Sequence, residues 1–131
     1  MGRLWICFLL LGSLLSPAAE KRKSAKLPDI EIVEASAHRV EDDVALDGRI
    51  RNSGEKTIEG VVLLFDFMAV SNQVIVTKKF PIDKETLAPG EEAEFHVRMA
   101  DPVRAVRFRM NSTDRQERDL RIVKNGPFPI E

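Results

Sequence analysis

Val61-Val62-Leu63-Leu64-Phe65-Asp66-Phe67-Met68 holds seven apolar residues in eight, and nothing beyond the first nineteen residues of the chain matches it. So short a run, rich in β-branched and aromatic side chains, reads as a strand buried on both faces. Glu59-Gly60 bounds it on one side and Ser71-Asn72-Gln73 on the other. It is the expected centre of the fold, the third strand in chain order.

Working outward, the 131 residues leave room for one domain, and the start of the chain is not expected to belong to it. Met1-Gly2-Arg3 is a short basic region, Leu4 to Leu15 an apolar one, and Ser16-Pro17-Ala18-Ala19 supplies small residues before Glu20-Lys21-Arg22-Lys23. That is the layout of a cleavable secretory signal over 1–19. At about 1.5 Å per residue the apolar stretch makes roughly 18 Å of helix, short of a bilayer core of about 30 Å. The single cysteine, Cys7, leaves with such a leader, so the domain rests on its core without disulfides. Loss of Arg3 leaves 19 basic against 21 acidic residues, a net charge of −2. So near a balance gives no global field to attract nucleic acid or an anionic membrane. Residues 20–26 are mostly charged and read as a flexible spacer.

From Leu27 the pattern is one of strands. Ile30 and Ile32 share one parity, while Val33, Ala35 and Ala37 share the other, which predicts a bulge or sheet switch in the first strand. Val44, Leu46, Gly48 and Ile50 alternate with Ala45, Asp47, Arg49 and Arg51 as a half-buried second strand. Asn52-Ser53-Gly54-Glu55-Lys56 is a polar turn in which Gly54 is free to take a positive φ. After the central strand, Val74 to Phe80 forms the fourth, closed by Pro81. Pro89-Gly90 fits a type II turn before the fifth strand, Ala93 to Met99. Val106, Phe108 and Met110 mark the sixth, broken at Asn111-Ser112-Thr113-Asp114, and Asp119 to Val123 the seventh. Residues 125–131, with Gly126, Pro127 and Pro129, read as a loose tail.

Seven short strands at this spacing predict an all-β fold: a seven-stranded antiparallel β-sandwich of the immunoglobulin or fibronectin type over 27–124, after an N-terminal signal helix. Three pieces in order, Asp47-Gly48-Arg49-Ile50-Arg51-Asn52-Ser53, Val62-Leu63-Leu64-Phe65-Asp66 and Leu87-Ala88-Pro89-Gly90-Glu91-Glu92-Ala93-Glu94-Phe95, resemble the FxLYD-type family of small immunoglobulin-like domains of exported prokaryotic proteins. The resemblance runs from about Val44 to Phe95. Leu64 and Asp66 match the motif, Phe65 stands for its Tyr and Val62 for its Phe. It implies a non-catalytic extracytoplasmic module and transfers no catalytic residue.

The two parities of the central strand cannot both face one core. Burial of bulk puts Val61, Leu63, Phe65 and Phe67 inward and leaves Val62, Leu64 and Asp66 outside, where neighbouring Arg stems can cover them. The resemblance puts Val62 and Leu64 inward, with Phe65 on an outer apolar patch. Either way the outer face of this strand is the candidate partner surface, through Val62, Leu64 and Asp66 in the first register or Phe65 in the second. Arg107, Arg109 and Arg121 extend it if the sixth and seventh strands pair as a hairpin.

Chemistry is harder to find. His96 alternates with Phe95 and Val97 and should face solvent, His38 ends the first strand, and neither sits in a catalytic motif. Glu41-Asp42-Asp43 lacks the spacing and glycine of a calcium loop. The reading thus has no metal, cofactor, small-molecule substrate or nucleic acid. It expects a non-catalytic exported module of the periplasm, envelope or extracellular space that binds a protein partner. The alternative is a membrane-tethered structural domain whose N-terminal segment stays uncleaved, and an enzyme ranks last.

Overall fold

The computed structural model describes residues 27–131; the expected leader over 1–19 and spacer over 20–26 lie outside the described residues. Among the described residues the regular structure is all β, with no α-helix. The strands are β1 (Ile30–Val40), β2 (Asp43–Asn52), β3 (Ile58–Glu59), β4 (Val62–Met68), β5 (Val74–Pro81), β6 (Thr86–Leu87), β7 (Glu92–Ala100), β8 (Arg107–Thr113), β9 (Ile122–Val123) and β10 (Phe128–Pro129). Two four-stranded sheets result, ordered β7-β2-β1-β9 and β10-β8-β4-β5, with β3 and β6 forming a separate two-stranded ribbon. One core lies between the two larger sheets.

β4 is the inner strand its composition calls for, paired antiparallel to β5 on one side and β8 on the other. Val61, Leu63, Phe65 and Phe67 point into the core, and Phe65 is fully buried. Its ring lies 5.9 Å from that of Phe80, 5.7 Å from Phe95 and 6.1 Å from Phe108, all tilted, the arrangement aromatic quadrupoles favour. The inward register implied by the resemblance, with Val62 and Leu64 in the core, does not occur. The larger side chains take the core because they remove more apolar area from water.

Phe95 reaches Phe65 from the opposite sheet because of Gly48. The two residues are cross-strand partners on β7 and β2. A Cβ at Gly48 would run into the Phe95 ring and into the backbone carbonyl oxygen of Glu34. Only a residue without a side chain leaves that ring its place.

The expected bulge is present: the β1–β2 register shifts between Ile32 and Glu34, Val33 turns outward, and Ala35 and Ala37 resume the inner face. The Pro89-Gly90 turn forms as well, with Gly90 at φ +82° and the Glu91 N–H donating to the Ala88 carbonyl at 2.9 Å. Elsewhere the structure departs from the reading of the sequence. Gly54 does not adopt a positive φ; Asn52 shapes that turn instead, its side-chain oxygen accepting the Gly54 N–H at 2.9 Å. β8 runs on through Asn111 to Thr113, because Ser112 turns inward and donates its hydroxyl to the Val62 carbonyl at 3.0 Å.

The largest differences lie near the C-terminus. The expected seventh strand shrinks to β9, which pairs parallel with β1 and not with β8, so the β7-β2-β1-β9 sheet is mixed while the β10-β8-β4-β5 sheet is antiparallel throughout. The tail over 125–131 is not loose. Phe128 pairs with Phe108 in β8 and stacks on its ring at 5.2 Å. Ile130 then bridges to Ala37 of β1, and the Arg39 N–H donates to the Glu131 carbonyl at 3.0 Å. Two prolines interrupt a long ladder but do not prevent two residues at a time from pairing at a sheet edge.

Candidate functional site

The outer face of the β10-β8-β4-β5 sheet follows from the register of β4. With Phe65 and its parity inward, Val62, Leu64 and Asp66 stand outside, opposite Pro81, Lys79 and Thr77 of β5 and Thr113, Asn111 and Arg109 of β8. Val62 and Leu64 are half-buried. Asp66 is only 9% exposed, because its neighbours close over it.

Both Asp66 carboxylate oxygens are engaged. Thr77 Oγ1 donates to Oδ1 at 2.6 Å, while Asn111 Nδ2 at 3.0 Å and Arg109 Nη2 at 3.2 Å donate to Oδ2. Such charge-assisted bonds are the stronger kind, and here they tie three adjacent strands together on one face. Arg109 therefore covers Asp66, as an Arg stem on this face should. Arg107 sits further along β8 and binds the β4–β5 turn, donating to the Ala69 carbonyl at 3.2 Å and to Asn72 Oδ1 at 2.5 Å.

Two residues of the expected surface are elsewhere. Phe65 is in the core. Arg121 precedes β9 in the other sheet, where its backbone N–H donates to Asp29 Oδ2 at 2.8 Å; the hairpin that was to bring it beside Arg107 and Arg109 does not form. Val62, Leu64, Asp66 and Arg109 thus share one face, with Arg107 toward the β4–β5 turn.

Over Val62 and Leu64 the face deepens into an open groove of ≈ 570 Å³, walled by the segment after β5 and the turn after β8. That second wall was not foreseen. Asp114 builds it: burial pushes its carboxyl up, but hydrogen bonds from the Arg118 backbone and side chain and the Gln116 N–H outweigh this and hold it below the usual range. Gly60, at φ +63°, lets the turn close down, since a Cβ there would meet Arg115 at 2.8 Å. The sequence signal was Asp114-Arg115-Gln116, an Asx-type turn start.

The outer face of the other sheet is a lattice of ion pairs. Glu31 meets Arg51 at 2.6 Å and Lys124 at 2.8 Å, and hydrogen bonds from Lys124 and then Arg51 lower its pKa. His96 Nδ1 lies 2.7 Å from Asp47 and Nε2 3.4 Å from Glu94, and hydrogen bonds to the two carboxylates raise its pKa. Ser36 pairs with Asp47 across the strands and Asp47 with His96, which places the carboxylate between the other two. That order gives no hydroxyl–imidazole contact for nucleophile activation. No group of three or more metal-ligating side chains occurs among the described residues, nor any helix long and apolar enough to cross a membrane.

Compared by sequence, the chain matches no protein-family model and no curated protein. Among solved structures it is similar to a stretch of a β-glucuronidase from glycoside hydrolase family 2, with a TM-score of 0.51 and 10% identity over 78% of this chain and 13% of that one. It is also similar to IrmA from Escherichia coli, at a TM-score of 0.49 and 10% identity over 78% of this chain and 95% of IrmA. The putative ApaA protein from Bordetella pertussis follows at 0.45 and 14% identity, over 76% and 98% of the two chains. At such identity the likeness to the β-glucuronidase stretch bears on the fold alone.

Proposed function

We propose that this chain is a non-catalytic, exported immunoglobulin-like module that binds a protein partner through the outer face of the β10-β8-β4-β5 sheet. The observation that carries the reading is the groove over half-buried Val62 and Leu64, set on a face made rigid by the Asp66 network. An apolar floor with fixed polar surroundings is the anatomy of a recognition surface. Strand order supports the immunoglobulin-like assignment: the first, second and fifth principal strands (β1, β2, β7) fall in one sheet, the third, fourth, sixth and last (β4, β5, β8, β10) in the other. The basic–apolar–small layout of residues 1–19 supports export, and the resemblance to the FxLYD-type family agrees with an accessory role outside the cytoplasm.

Leu64→Glu places a charge on the floor without touching the core. The expected result is a protein that still folds cooperatively, with a melting temperature lowered by roughly 5–10 °C at about 1 kcal/mol or slightly more, and loss of the partners captured from the envelope or culture medium by the wild-type protein. Retention of every partner would overturn the binding face. Export is read separately, from the intact mass of protein recovered from the source: loss of about nineteen residues is expected, and a full-length chain in the membrane fraction would replace export with tethering.

A further inference from the structure

We infer that the partner segment received by this groove is basic, with an apolar residue seated on Val62 and Leu64 and lysine or arginine side chains toward the two walls. The inference rests on the reading of this face as the binding surface and adds the chemistry of its ligand. The walls carry Asp83 and Glu85 on the segment after β5, and Glu117 and Asp119 on the turn after β8, all four exposed. None of the four has an ion-pair partner among the described residues. The cations nearby are committed elsewhere: Lys84 is held by Glu91 at 2.7 Å and Arg115 by Glu59 at 3.1 Å. What remains is Lys79, cross-strand partner of Leu64, against four carboxylates.

This contrasts with the outer face of the β7-β2-β1-β9 sheet, where acids and bases are largely matched. On the other sheet Arg49 bridges Glu34 and Glu92, Arg98 bridges Glu41 and Asp43, and Arg51 meets Glu31. Unneutralised carboxylates flanking an apolar floor raise the local concentration of a cationic segment and set its register. An acidic segment would meet repulsion from both walls.

The test uses three labelled peptides of alternating sequence: lysine and valine, serine and valine, and glutamate and valine. Binding to the purified protein is followed by fluorescence anisotropy at low and high salt. The lysine peptide should bind the tightest and weaken as salt screens the walls. Neutralising the walls together (Asp83→Asn, Glu85→Gln, Glu117→Gln, Asp119→Asn) should weaken it by about tenfold, the small effect of each exposed charge summed over four. Because all four residues are exposed, circular dichroism should show an unchanged melting curve, and a charge-reversed Asp83→Lys, Glu85→Lys variant should shift preference toward the glutamate peptide. Equal binding of the three peptides, all abolished by Leu64→Glu, would overturn the basic specificity and leave the binding face standing. Binding of the lysine peptide that is indifferent to both Leu64→Glu and the neutralised walls would overturn both. Concentration-dependent self-association lost with Leu64→Glu, in place of peptide binding, would make the occupant a second copy and overturn the basic segment.

Discussion

Replacing Phe65 by alanine tests the register on which the whole surface depends. The side chain is fully buried and packs against three other phenylalanines with centroids 5.7 to 6.1 Å away, two on its own sheet's neighbours β5 and β8 and one across the core on β7. Truncation removes the transfer free energy of the ring and leaves a cavity that two facing sheets close only in part. The expected loss is about 3–5 kcal/mol. For a domain of this size that corresponds to a fall in melting temperature of about 14–23 °C. Leu64→Ala, one residue along and on the groove floor, should cost about 1 kcal/mol, since its side chain is only half-buried. Trp5 is the sole tryptophan and there is no tyrosine, so far-UV circular dichroism in urea is the assay of choice over intrinsic fluorescence. If Phe65→Ala proves too unstable to study, Phe65→Leu should fold with a loss of about 1–2 kcal/mol and preserve the ranking. A loss for Leu64→Ala equal to or above that for Phe65→Ala would refute the register.

Three further expectations concern other parts of the molecule. Gly48→Ala should destabilise by about 2–3 kcal/mol, since the new methyl meets a backbone carbonyl as well as the Phe95 ring; urea denaturation within about 0.5 kcal/mol of wild type would show that the strand can give way. Asn52→Ala should cost about 2–3 kcal/mol, because Asn52 is fully buried and its amide bonds the Lys56 and Leu87 carbonyls, each at 2.8 Å. The same measurement checks it, and Asn52→Asp, which cannot donate to both carbonyls, should fare no better. His96 should titrate above the ordinary histidine value in an NMR experiment, with Asp47→Asn bringing the midpoint down. Because its folded pKa is raised, its contribution to stability is complete below the unfolded pKa and is lost as pH rises through the folded one; a midpoint at or below the ordinary value would contradict the clasp.

What the sequence disclosed was whatever depends on dense local pattern. The β4 run announced itself by apolar content, the β1 bulge by a change of parity, and the 88–91 turn by Pro89-Gly90. The parity of β4 was decided by bulk: two phenylalanines outweigh a valine and a leucine. The segments misread are those whose state is set by their partners. β9 and β10 are two residues each, too short for any period, and exist because β1 and β8 offer open edges there. Of the candidate surface, Val62, Leu64 and Asp66 were legible from alternation, whereas placing Arg121 depended on a strand pairing that sequence does not encode. The groove walls combine positions about 35 residues apart in the chain, and only the tertiary fold brings Glu85 and Asp119 around the same floor.

The parallel seam between β1 and the end of the chain bears on mechanics. Ile30 pairs with Ile122 and Ala37 with Ile130, both in parallel register, and the Asp29 and Arg39 amides bond to carbonyls of Arg121 and Glu131. A pull entering at Leu27 and leaving at Glu131 draws two parallel segments past each other, so these bonds are loaded together, in shear. An antiparallel terminal pair loaded in the same way would open one bond at a time, like a zipper. Under such a pull the few bonds of this seam share the load, and they let go together and not in sequence.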